Sequence, residues 1–209
     1  MGAKPPLNRR AEILDVARDL FARHGYAATS MRDIAEADGI KASSLYSHFR
    51  SKAEILLLVI TPVTDELARV QEAALAAPGS GLQRLRAMAA AVLRVCVEHD
   101  RAVSILHYSW PQIRTSDDLS ALVASNAEIF ARWQRVIADG VADRSVRADV
   151  DVVVAARLVT SALQGVADRE RYVDTVGLAA RRGFETLLAD LDAVVLDGLG
   201  ADREVLVRT

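Results

Sequence analysis

At 209 residues the chain can bury one sizeable core, or a small domain joined to a larger one. Half of it is apolar and 26% is charged, as in ordinary globular proteins, and the net charge of −2 argues against a protein that coats nucleic acid uniformly. Glycine (11) and proline (5) are scarce, while alanine, leucine, arginine and the acids fill long stretches, so a mostly helical fold is predicted.

The single cysteine, Cys96, excludes an intramolecular disulfide and agrees with a reducing compartment. The run of large apolar residues from Ile55 to Ile60 falls far short of the ~20 residues that span a bilayer. Near the N-terminus, Glu12, Asp15, Arg18 and Asp19 interrupt any apolar signal core, so a cytoplasmic protein with no membrane partner is expected. The charge is unevenly spread. Residues 1–52 hold nine Lys/Arg against six acids, a net of +3, and the other 157 residues carry −5. A basic head on an acidic body suits a protein that meets phosphates at one end.

In chain order, the spacing of Ile13, Ala17, Leu20 and Phe21 predicts a first helix over about 8–24, closed by Gly25 as a left-handed cap. Ser30 opens a short second helix, with Asp33 placed for a capping box and Met31, Ile34 and Ala35 facing inward; Gly39 ends it. A third short helix runs from Ala42 to about Phe49. Ser51 caps a fourth, with Glu54 at the reciprocal capping position, and Pro62 is expected to kink it. Pro78-Gly79-Ser80-Gly81 reads as a linker. Further helices are predicted at about 82–98, 100–109, 117–139, 149–167 and 171–192, with breaks at Pro111, Gly140 and 144–147. From Leu196 onward no element is assigned. No segment alternates with period two, so no sheet is predicted and the fold class is all-α.

The segment TSMRDIAEADGIKASSLYSHFRSKAEIL, residues 29–56, carries the chemistry. Two short helices joined by a glycine turn make a helix-turn-helix whose second helix can enter a major groove. Ala35 is small enough to let the helices cross closely, Gly39 suits a positive φ, and Leu45 anchors the second helix. Its outer face would carry Lys41, Ser43, Ser44, Tyr46, Ser47 and His48, whose hydroxyls and phenol can approach phosphates and base edges. Lys52, at the start of the fourth helix, could hold a phosphate together with free backbone N–H groups. The plainer alternative is a pair of short helices in an ordinary bundle with solvated serines.

Over roughly residues 9–60 the order and spacing of Ser30, Ile34-Ala35, Gly39, Leu45-Tyr46, His48-Phe49, Ser51-Lys52 and Glu54 resemble the N-terminal domain of TetR-family regulators. That resemblance implies a three-helix DNA-binding head at 1–52, a helical ligand-binding and dimerisation domain at 53–195 and a tail at 196–209. It implies that Ala42, Ser43, Ser44, Tyr46, Ser47 and His48 sit on the recognition helix, with Ser30, Arg32 and Lys52 at backbone-contact positions. It further implies a homodimeric repressor on a palindromic operator in double-stranded DNA, released by a small-molecule effector. The chain departs from the family pattern at Asp38, often a small residue, and at Lys41, often serine or threonine, so the operator is not transferable.

The body has no comparable signature. The helix at 149–167 is rich in Val152, Val153, Ala155, Ala156, Val159, Ala162, Leu163 and Val166, and the next presents Val173, Val176, Ala180, Phe184, Leu187 and Leu188. These two helices could pair with their copies, or they could be core helices of a monomer. His107, Tyr108, Trp110 and Gln112, with Trp133, form the candidate site for a hydrophobic effector, although aromatics are also ordinary core residues. Residues 95–165 also look faintly similar to regulators that sense acyl-CoA thioesters, including steroid-catabolism repressors. Cys96 reads as packing, His99 and His107 are too far apart to share a metal, and the acids Asp117, Asp118, Asp149 and Asp151 read as helix caps. No nucleophile–base, metal or cofactor motif is present, so no cofactor is expected. A helical enzyme and a ligand-independent DNA binder remain the competing readings.

Overall fold

The computed structural model describes residues 9–167 and 184–200. Ten α-helices form there: α1 (Arg9–His24), α2 (Met31–Ala37), α3 (Ala42–His48), α4 (Lys52–Ala76), α5 (Gly81–Glu98), α6 (Asp100–Tyr108), α7 (Trp110–Ile113), α8 (Ser120–Ala142), α9 (Val152–Ala167) and α10 (Phe184–Leu191). A wide π-type turn follows at Asp192–Leu196. No strand forms among the described residues, only an isolated bridge between Val146 and Gly200, so the all-α expectation holds. The predicted helix over 171–192 lies outside the described residues up to 183.

The chain divides into two compact units, residues 1–65 with 101–126, and residues 66–100 with 127–209. Helices α4 and α8 contribute residues to both.

In the first unit, Ile13, Ala17 and Phe21 of α1, Met31, Ile34 and Ala35 of α2, Leu45 of α3, and Phe49 are buried, with α1 packed on α2 and α2 on α3. Local signals explain the boundaries. Ser30 Oγ accepts from the Asp33 N–H and the Asp33 carboxylate accepts from the Ser30 N–H at 2.8 Å, the predicted capping box. Gly39, at φ +71°, makes the turn that an L-side chain would strain. Ser51 Oγ caps the Glu54 N–H at 3.1 Å, but the reciprocal half differs from expectation. The Glu54 carboxylate accepts from the Arg50 N–H at 2.7 Å instead, one residue further out. Helix α4 runs unbroken through Pro62.

In the second unit α9 packs on α5, on α10 and on the Asp192–Leu196 turn. The linker read at Pro78–Gly81 does separate α4 from α5, and it is tightly held: Ser80 and Gln83 form a capping box, and the Gly81 N–H donates to Asp143 Oδ2 at 2.6 Å. The break expected at Gly140 does not form, since α8 continues to Ala142. A Cβ on Gly81 would lie 2.2 Å from the Gly140 backbone, so the two glycines mark a close crossing between chain segments. One glycine inside a 23-residue helix costs only about 1 kcal/mol, which the crossing offsets.

The segment after Leu191 is also ordered beyond expectation. Leu196 is buried, Arg86 bridges Asp192 and Asp197, and the Arg147 N–H donates to the Leu199 carbonyl at 3.1 Å. Of the acids read as caps, Asp151 accepts from the N–H groups of Val153 and Val154 at the start of α9. Asp149 instead pairs with Arg147 at 2.7 Å. Cys96 is buried packing, as expected, and burial pushes its thiol pKa up to about 12.

Candidate nucleic-acid interface

Helix α3 is short, and its pattern of exposure defines it. Leu45 is its one fully buried residue and pins it to the head. Ala42, Ser43, Ser44, Tyr46 and Ser47 are exposed, Tyr46 to 56%, and His48 is half-buried beside the Phe49 ring. The Tyr46 phenol is thus left more than half in water, on a helix with five exposed residues. Lys41 sits at the N-cap position, exposed and without a side-chain capping bond. Ser47 Oγ donates to the Ser44 carbonyl at 2.6 Å.

The flanking residues divide. Arg32 is exposed on α2. The Ser30 hydroxyl is engaged with Asp33, holding the start of α2, and its bonds keep the Asp33 carboxyl below its usual range.

The Lys52 ammonium, read as a phosphate ligand, is turned onto the chain's own backbone. Its Nζ donates to the carbonyls of Tyr26 at 2.7 Å and Thr29 at 2.6 Å, and lies 4.3 Å from the centre of the Tyr26 ring. The Tyr26 ring in turn packs edge-on against Phe21 at 5.4 Å. Burial lowers the Lys52 pKa, against the opposing pull of Asp33. Lys52 thus fastens the loop between α1 and α2 to the first turn of α4.

Sequence reading missed the side chains that hold α3 from behind. Arg9 reaches Asp38, the residue after α2, and Arg10 reaches the last residue of α3 and Glu54. Asp38 was visible only as a departure from the family pattern; here its carboxylate is buried and paired with Arg9.

The residues read as a candidate effector site fall in both units. His107, Tyr108, Trp110 and Gln112 belong to the first unit, where His107 and Tyr108 are exposed and stacked edge-on at 5.1 Å, Gln112 is exposed and Trp110 half-buried. Trp133 belongs to the second unit and is 1% exposed, within its core. Among the described residues there is no group of three or more potential metal ligands, and no helix is long and apolar enough to cross a membrane.

A buried anchor, a glycine turn and an outward polar helix together define a helix-turn-helix DNA-binding protein. Residues 13–59 match the family described as bacterial regulatory proteins, tetR family, and residues 78–168 match the tetracyclin repressor-like C-terminal domain. The chain is 30% identical over 200 residues to the HTH-type transcriptional repressor KstR2 of Rhodococcus jostii, covering 92% of each chain. The KstR2 of Mycolicibacterium smegmatis is 33% identical over 156 residues, 74% of this chain and 75% of that one. A solved structure of the ketosteroid transcriptional regulator KstR2 of Mycobacterium tuberculosis superimposes with a TM-score of 0.79 at 25% identity, over 92% of this chain and 95% of that one. The chain belongs to the TetR family: it is a DNA-binding transcriptional regulator and not an enzyme.

Proposed function

We propose that the protein is a dimeric repressor, which reads a palindromic operator with one α3 from each protomer and releases it on binding a hydrophobic effector. The observation that carries this reading is α3 itself, held by Leu45 with Tyr46 and three serines facing outward. Ser43, Ser44, Tyr46 and Ser47, with Lys41 and Ala42, are the residues assigned to the groove, with His48 at the helix end. Arg32 and Ser30 flank them toward phosphate. Lys52 serves the loop that supports them. Such a protein works wherever the chromosome is, hence in the cytoplasm of a bacterium.

Dimerisation is assigned to the outward face of α9. The residues grouped as one stripe in the sequence point two ways. Ala155, Ala156, Val159 and Leu163 are buried within the unit, whereas Val153, Val154 and Leu158 are exposed to 45%, 52% and 61%. Val154, Leu158, Ser161 and Gly165 recur at helical spacing, all exposed, and a Cβ on Gly165 would meet nothing within 4 Å. An apolar face with a small residue at one end suits close packing of a partner helix.

The effector is assigned to an apolar molecule of the ketosteroid class, free or as an acyl-CoA thioester, because a structural relative is a ketosteroid transcriptional regulator. His107, Tyr108, Trp110 and Gln112 offer it aromatic faces and polar ends, and Trp133 supports the core of the second unit. The test starts from an operator selected by the protein from a randomised duplex pool. Release of that duplex by a ketosteroid or its CoA thioester, with a raised melting temperature, is expected. A protein that holds the duplex equally in the presence of every such compound would be a ligand-independent binder.

A further inference from the structure

Two neighbouring arginines at the start of α1 reach the two ends of the recognition unit. Arg9 donates to the Asp38 carboxylate and, at 3.2 Å, to the Asp38 carbonyl, in the turn just ahead of Gly39; its other nitrogen pairs with Glu12 at 3.1 Å. The Asp38 side chain is only 5% exposed. Arg10 donates to the His48 carbonyl at 2.8 Å, where α3 ends, and to Glu54 Oε1 at 2.9 Å, in the first turn of α4. Its guanidinium lies 4.5 Å from the centre of the Phe49 ring. Glu54 is held in turn by the Arg50 N–H at 2.7 Å.

A seven-residue helix has few internal backbone bonds, and its last carbonyls lack helical partners. With Leu45 as its single buried anchor, α3 can pivot unless its ends are tied. We propose that Arg9–Asp38 and Arg10–Glu54 form a brace that sets the angle of α3 against α1, making all four positioning residues for operator discrimination rather than DNA contacts. This rests on the assignment of α3 as the reading helix. The brace explains why Asp38 and Glu54 lie behind a surface meant for a polyanion: each carboxylate anchors an arginine fork, which binds in two directions at once as a lysine cannot.

The alternative is that Arg9 and Arg10 are plain phosphate ligands, and the two ideas predict opposite signs. Neutralising an acid near DNA strengthens binding electrostatically, whereas loosening a brace weakens it. The probes are the duplex selected by the wild-type protein from a random pool and a scrambled duplex of the same length. Glu54→Gln, Asp38→Asn and Arg10→Lys are each expected to lose about tenfold or more in affinity for the selected duplex, the size of one lost charge-assisted hydrogen bond. Binding to the scrambled duplex should not weaken and the slope of log affinity against log salt should not fall, where loss of a phosphate contact would lower the slope by about 0.9. A simple loss of folded protein would lower both affinities equally, and melting curves identify any variant that does not fold; Arg10→Lys, which keeps charge and bulk, then carries the test. Equal or tighter binding of the selected duplex by Glu54→Gln and Asp38→Asn, or wild-type discrimination in Arg10→Lys, overturns the brace. Failure of the wild type to select any sequence would instead remove the DNA-reading assignment beneath it.

Discussion

On the proposed α9 interface, Leu158→Glu should leave folded monomers, because Leu158 is 61% exposed on α9. Fully burying a leucine side chain stabilises by about 1.5–3 kcal/mol. With 61% of the residue still exposed in the single chain, an interface over it supplies about 1–2 kcal/mol per protomer. A two-fold axis counts that gain twice, about 2–4 kcal/mol, and so about thirty- to a thousandfold in the dissociation constant. The unpaired glutamate adds to this, since a charge enters the interface without a partner. Ala156→Glu, two residues away but 0% exposed, provides the contrast: it places the carboxylate inside the unit and should unfold the protein rather than split it. Light scattering across a micromolar concentration series, with circular dichroism melts, separates the outcomes. A Leu158→Glu protein that remains dimeric, or a wild type that is monomeric even on operator DNA, would refute the α9 assignment.

Lys52→Met should lower stability by about 1–3 kcal/mol by removing two hydrogen bonds from the Tyr26 and Thr29 carbonyls. The salt dependence of DNA binding should stay unchanged; a shallower slope would show Lys52 on a phosphate. Gly81→Ala should cost about 1–3 kcal/mol, since its Cβ meets the Gly140 backbone at 2.2 Å, and a melt equal to the wild type would disprove the close crossing. Cys96 should resist alkylation in the native protein at neutral pH and react once urea unfolds it, because burial holds its thiol near pKa 12. Rapid native labelling would contradict its placement in the core.

Much of the head was legible because its signals are local. Ser30 with Asp33 three residues on, and Gly25 and Gly39 at positive φ, fix helix ends through contacts within one turn. The outward face of α3 followed from Leu45 alone. What escaped depends on distant partners. Nothing near Lys52 in sequence shows that the carbonyls of Tyr26 and Thr29 will claim its ammonium. Gly81 looked like linker and Gly140 like a break, because a crossing of backbones 59 positions apart leaves no local trace. The α9 stripe was recognised as apolar, but which half faces the core is decided by α5 and α10, so Ala156 and Leu158 were not distinguishable before the packing was known. For the same reason Arg9 and Arg10 counted only toward the basic charge of the head.

The claim on which the account stands is that the exposed face of α3 reads DNA, and Tyr46 is its most direct probe. Tyr46→Ala removes a side chain that is 56% exposed and leaves the Leu45 anchor intact, so the melting curve should hardly move. Titration of the selected duplex with wild-type and Tyr46→Ala protein at one fixed salt concentration should show affinity falling about tenfold or more. Undiminished affinity in a folded Tyr46→Ala protein would contradict the account.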